Sequence, residues 1–214
     1  MNVSKARDEI VKFGELLYHN GFIAGYDGNL SVRTAPERIL ITPTLTAKGF
    51  LKKEDLIVID REGTKVSGKA KPSSETAMHL AVYENRPGIG ACCHAHPPFA
   101  TAMAAAGKNL PVDILPEAAI FLGKIPLVEY IPTGLPQKWG IFSEYVSDHF
   151  VYLLKNHGVL TVGKTLEEAY FRMETVEHYA RIIYIGQSIC RLNKLDKEEL
   201  ARLDEIHKKL FGDI

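Results

Sequence analysis

Ile89-Gly90-Ala91-Cys92-Cys93-His94-Ala95-His96, followed at once by Pro97-Pro98, decides the reading of this chain. The run is short, small and apolar up to its first histidine, which predicts a buried strand, and the prolines end it. Side chains alternate along a strand, so His94 and His96 share one side and Ala95 points away. Two imidazoles side by side at a strand tip are natural joint ligands for zinc, at about 2.0–2.1 Å each. A third histidine, His157, sits between a strand-like run and Gly158 in Asn156-His157-Gly158. Three histidines around an ion leave one position open for water or substrate, the arrangement of catalytic sites. From spacing alone, structural histidines remain an equal reading. His19, His79, His149, His178 and His207 fall in helical stretches and read as solvated or packed.

Outward from this strand the pattern is mixed. Residues 4–20 predict a helix, with Ser4 as cap and Ile10, Phe13, Leu16 and Leu17 at helical spacing. Short strands follow at 30–33 and 39–42, and 56–60 with 64–67 reads as a hairpin around Glu62-Gly63. A helix starts near Glu75, and another runs from Pro98 to about Ala106. Residues 125–131 read as a strand, 138–150 as a helix, and 151–155 with 159–162 as a strand pair. Two last helices span 165–187 and 196–211, the latter with Leu200, Leu203, Ile206 and Leu210 on one face. No linker or repeat divides the chain, so residues 1–214 are expected to form a single α/β domain of three layers, α/β/α, around one partly antiparallel sheet.

Composition narrows the function. The chain has 214 residues, 46% of them hydrophobic, enough for a sizeable core. Lys plus Arg and Asp plus Glu both number 26, so no charge excess points to nucleic acid. Near-zero net charge favours self-association. Three cysteines, two of them adjacent, make no disulfide framework and suit a reducing cytoplasm. The charged, amphipathic start MNVSKARDEIVKF does not read as a signal peptide, and no segment is apolar enough to suggest a membrane span.

Ser73-Ser74-Glu75 at a predicted helix start carries a second signal. Serine hydroxyls and free amides there suit an anion such as phosphate, and a glutamate beside them could serve as general base. The ordinary reading is a first-turn acid beside a capping serine.

Five motifs in order now converge: Gly28-Asn29-Leu30-Ser31-Val32-Arg33, Leu40-Ile41-Thr42-Pro43-Thr44, Pro72-Ser73-Ser74-Glu75, His94-Ala95-His96 and Asn156-His157-Gly158. Together they resemble the class II aldolase/adducin-like family over essentially the whole chain. The resemblance implies a mostly antiparallel, nine-stranded central sheet and a homotetramer with active sites between subunits. It implies zinc, or else manganese, cobalt or iron, on His94, His96 and His157, with Glu75 as the catalytic carboxylate. It implies a phosphate pocket from Gly28, Asn29, Thr44, Ser73 and Ser74.

The implied reaction is reversible cleavage of a ketose 1-phosphate, L-fuculose 1-phosphate or a related deoxypentulose 1-phosphate. The products would be dihydroxyacetone phosphate and an aldehyde, formed through a metal-stabilised enediolate. The family also implies alternatives: methylthioribulose-1-phosphate dehydration, pentulose-phosphate 4-epimerisation, or a non-catalytic adducin-like binding module. Three positions depart from the family's aldolase pattern. Leu45 stands where it has glycine after the phosphate-site threonine. Glu117 stands in the region of a tyrosine that acts on the aldehyde half, and reads either as its replacement or as a surface helix-start carboxylate. Phe211 takes the place of a second tyrosine and offers no hydroxyl.

Overall fold

In the computed structural model, residues 2–132, 140, 142–146 and 148–212 are described. The element order is α1 (Val3–His19), β1 (Asn29–Ala35), β2 (Arg38–Ile41), β3 (Ile57–Ile59), β4 (Lys65–Ser67), α2 (Thr76–Asn85), β5 (Ala91–Ala95), α3 (Pro98–Ala105), α4 (Pro116–Phe121), β6 (Leu127–Val128), α5 (Ser143–Val146), β7 (Val151–Leu154), β8 (Gly158–Gly163), α6 (Leu166–Ile189) and α7 (Lys197–Phe211). Two 3₁₀ turns, Lys48–Phe50 and Lys53–Asp55, link β2 to β3.

Among the described residues one sheet holds eight strands in the order β4-β3-β2-β1-β5-β8-β7-β6. Every pair is antiparallel except β6 with β7. The mixed α/β, mostly antiparallel architecture is as expected. The strand count is corrected from nine to eight: the 125–131 run pairs only at Leu127 and Val128, and no other described segment joins the ladder. Of the helix predicted over 138–150, residues Ser143–Val146 are helical, and part of that stretch lies outside the described residues.

The sheet lies between helices. On β5, Cys93 pairs with Thr161 of β8, whose hydroxyl donates to Ala169 O of α6, so that face turns toward α6. Cys92 and His94 point the other way. They share their face with Ser31 and Asn29, their cross-strand partners on β1, and α2 covers it through His79 and Tyr83. All five residues of β5 are fully buried, as the opening run predicted for a strand covered on both sides.

Helix ends differ in detail from the sequence reading. Asn2, not Ser4, caps α1, its side chain accepting from Ser4 N at 2.9 Å. Asp196 and Thr165 cap α7 and α6. On α7 only Leu203 is buried and Leu210 is 55% exposed, so the predicted apolar face is narrower than its spacing suggested.

Candidate metal centre and anion pocket

His94 is the penultimate residue of β5 and His96 comes directly after the strand's end, where His96 N donates to Phe22 O at 2.9 Å. The two Nε2 atoms lie 3.2 Å apart. His157 enters from the three-residue turn between β7 and β8. Asn156 makes that turn with φ +55, a left-handed conformation that asparagine tolerates well. Each of the three histidines offers a ring nitrogen within 4.8 Å of the others. Gly158 is what lets them meet: a Cβ there would lie 2.5 Å from His96 Cδ2 and 2.6 Å from Ala95 O. Gly28 is equally confined, with φ +70 and a would-be Cβ 2.8 Å from His94 O.

Glu75 stands against this cluster, its Oε1 2.8 Å from His157 Nε2 and its Oε2 3.2 Å from His94 Nε2. His94 Nδ1 lies 2.9 Å from Val159 O, so it donates its proton there and its Nε2 turns a bare lone pair inward. His96 Nδ1 faces Asp27 Oδ2 at 3.4 Å. Bare imidazole nitrogens and a carboxylate crowded together repel unless a cation sits among them, so the donor set fits a divalent ion held by His94, His96 and His157. Burial would raise the Glu75 pKa, but the adjoining His94 and His157 hold it well below the usual carboxylate range. Burial, together with the neighbouring His94 and His157, pushes His96 down to about 4 despite Asp27 and Glu75, so it is neutral at pH 7, as a ligand must be.

A polar chain buried under α2 supports Glu75 from behind. Asn29 Nδ2 donates to Glu75 Oε2 at 2.7 Å. The amide oxygen must then face His79, whose Nε2 donates to it at 2.5 Å. His79 Nδ1 in turn accepts from Ser31 Oγ at 2.6 Å, and Ser31 Oγ accepts from Tyr83 at 2.7 Å. Every donor points toward the carboxylate. Burial, with the neighbouring His94, pushes His79 down to about 3 against the pull of Glu75, keeping it neutral.

The expected anion residues gather beside the histidines. An isolated bridge joins Pro43 to Pro72, Ser73 N donates to Thr42 O, and Thr44 N to Lys71 O, zipping the two loops together. The resulting cavity, about 180 Å³, is lined by Gly28, Asn29, Thr44, Ser73, Ser74, Glu75, His96 and His157. Larger cavities of about 510 and 440 Å³ lie elsewhere and contain none of these histidines. The capping serine of the ordinary reading is not found: Glu75 itself holds the N-cap position of α2 without a side-chain cap, and Ser73 Oγ accepts from Glu75 N at 3.2 Å.

Leu45 lines the mouth of the cavity, 76% exposed and at φ +52. Glu117 is exposed on α4 and does not line it. Phe211 packs against Phe150 and Arg172, also away from it. The sequence reading missed His79, Lys48, Tyr26 and Asp27, the last three lining the cavity. His79 looked like any helical histidine, and the others lie in loops whose meeting no local pattern records.

A three-histidine group with an adjoining carboxylate, at the end of a central strand in an α/β/α sheet, could hold a divalent ion beside a small polar cavity. Residues 8–184 match the Class II Aldolase and Adducin N-terminal domain, and the chain belongs to that family. It is 40% identical over 181 residues to an L-fuculose phosphate aldolase of Methanococcus maripaludis, covering 85% of this chain and 97% of that protein. It is 32% identical over 200 residues to a 3-oxo-tetronate 4-phosphate decarboxylase of Haemophilus influenzae, covering 91% and 95%. A solved L-fuculose 1-phosphate aldolase superposes with a TM-score of 0.87 at 30% identity, covering 96% and 97%. Among the described residues no helix is long and apolar enough to cross a membrane.

Proposed function

We propose that residues 1–214 form one catalytic domain of a cytoplasmic, metal-dependent aldolase. It would reversibly cleave a ketose 1-phosphate, L-fuculose 1-phosphate or a related deoxypentulose 1-phosphate, into dihydroxyacetone phosphate and an aldehyde. The observation that carries this reading is Glu75, a buried carboxylate between two histidine nitrogens and Asn29, opening onto the cavity of Thr44, Ser73 and Ser74. The 40% identity to a protein named for the fuculose phosphate reaction supports it.

His94, His96 and His157 would hold zinc, or manganese, cobalt or iron, and the ion when bound supplies Lewis-acid stabilisation of negative charge on a substrate oxygen. Ser73, Ser74, Thr44, Asn29 and the Gly28 backbone hold the phosphate. In the direction of synthesis the Glu75 carboxylate takes a proton from the hydroxymethyl carbon of dihydroxyacetone phosphate, leaving an enediolate. That carbon attacks the aldehyde, and the carbonyl electron pair becomes an alkoxide that takes up a proton. Cleavage reverses each step, with Glu75 returning its proton to carbon. Glu117 does not line this cavity, so its proposed part in handling the aldehyde half would be played in a neighbouring subunit's site, and a homotetramer belongs to the proposal.

A second reading has its own support in the decarboxylase relatives. Loss of carbon dioxide from a 3-oxo acid 4-phosphate also leaves an enediolate for Glu75 to protonate. A panel of fuculose, ribulose, deoxypentulose and methylthioribulose 1-phosphates, a pentulose 5-phosphate and 3-oxo-tetronate 4-phosphate separates the readings. Release of dihydroxyacetone phosphate from a ketose 1-phosphate is the expected result. Carbon dioxide with triose phosphate from 3-oxo-tetronate 4-phosphate while every ketose 1-phosphate stays intact, or water loss or epimerisation without triose phosphate, would overturn it in favour of the corresponding reaction.

A further inference from the structure

Lys48 is a buried cation with room for an anion beside it. It opens the Lys48–Phe50 turn, which packs against α1 so tightly that a Cβ on Gly14 would lie 2.6 Å from Lys48 O. The residue is only 3% exposed, yet it lines the same cavity as Thr44, Ser73 and Ser74. Its Nζ donates to Tyr26 O at 2.7 Å. An ammonium carries three donors, and among the described residues no carboxylate lies within the 4.0 Å of an ion pair. Asp27 and Glu75 act on it only through longer-range attraction, and burial pushes it down to about 8 against them. A buried charge without an ion-pair partner is costly, and the cost is recovered when a counter-ion enters.

We propose that Lys48 is the cationic anchor of the anion pocket, donating to a phosphoryl oxygen that the hydroxyls of Thr44, Ser73 and Ser74 also hold. The inference rests on the sugar-phosphate reading for the ligand's identity, but not on the reaction. Charge-assisted hydrogen bonds to phosphate are about twice as strong as neutral ones, so Lys48 would set affinity for the phosphorylated substrate more than turnover.

The test uses metal-loaded full-length protein, inorganic phosphate as the probe and constant ionic strength. Phosphate should raise the melting temperature of the wild-type protein by binding the folded state. Lys48→Met should abolish that rise, and calorimetry should find phosphate bound at least about tenfold more weakly. Its metal content should equal wild type, and its melting temperature without phosphate should be no lower, because a buried unpaired ammonium has been removed. Lys48→Gln provides the same measurement should the methionine variant fail to fold. An unchanged phosphate response in either variant overturns the proposal. So does a wild-type protein stabilised by malonate but not by phosphate. Phosphate binding that depends on Lys48 in a protein inactive on every ketose phosphate would sink the aldolase reading and leave the anchor standing.

Discussion

Asn29 Nδ2 donates to Glu75 Oε2 at 2.7 Å, while the opposite end of the same amide is held by His79 at 2.5 Å. One side chain therefore fixes both the position of the proposed base and the direction of the buried chain behind it. Asn29→Ala removes a hydrogen bond to a charged group and orphans a buried His79. Such bonds contribute about 1.5–3 kcal/mol, so kcat should fall about 10- to 150-fold on the active substrate. Glu75→Gln should abolish turnover and leave metal content intact. Equal turnover in the glutamine variant would remove Glu75 from its assigned role.

The legible and illegible parts of this site divide by range. His94 and His96 were readable because strand alternation is local arithmetic, and Pro97 marks where it ends. Asn156-His157-Gly158 was readable as a tight turn, but the reason for its glycine was not. That reason is the approach of Gly158 to His96, which are far apart in sequence. Lys48 was invisible for the same cause. Its place beside Ser73 depends on the Pro43–Pro72 bridge between two loops, and a lone lysine after threonine and alanine carries no periodic signal. His79 shows a different limit. Helical spacing places it on an inner face, and only the register of Asn29 against His94 reveals that the face carries a polar chain.

Gly158→Ala should damage the metal centre selectively. The added methyl would meet His96 Cδ2, Ala95 O and His94 Cε1 at 2.5, 2.6 and 3.3 Å. The backbone oxygen cannot yield cheaply, so His96 and the turn must shift. Displacing ligand geometry typically costs about 10–100-fold in metal affinity, and overpacking costs about 1–3 kcal/mol of stability. Competition with a chelator and a denaturant melt measure the two. Wild-type metal affinity in this variant would mean that the three histidines do not act as one centre.

His79 makes stability depend on acid. Its pKa falls from the ordinary 6.5 to about 3 in the folded protein. Between those values the unfolded chain binds a proton that the folded chain refuses, so stability rises with pH through this window. The His79 contribution is complete above pH 6.5 and is lost as pH falls toward 3. His79→Gln lacks this titration. The difference between wild-type and variant unfolding free energies should therefore narrow steadily as pH drops from 6.5 to 4. Parallel pH curves for the two proteins would contradict a neutral, buried His79.

Leu45 offers the last test, because its conformation argues against its side chain. At φ +52 a leucine sits in the left-handed region, which disfavours L side chains by roughly 1–2 kcal/mol. At 76% exposure its burial returns little of that. Leu45→Gly relieves the backbone but gives the unfolded chain more freedom, an offset of about 0.5–1 kcal/mol. Stability should therefore stay level or rise by up to about 1 kcal/mol, whereas Leu45→Val, branched at Cβ, should lose at least as much. Because Leu45 lines the mouth of the cavity beside Thr44, the glycine variant should also change KM across the substrate panel while leaving metal content alone. A glycine variant that melts well below wild type would mean the leucine side chain is held by contacts that only an assembled oligomer provides. Chemical cross-linking and sedimentation of the wild-type protein would test that directly.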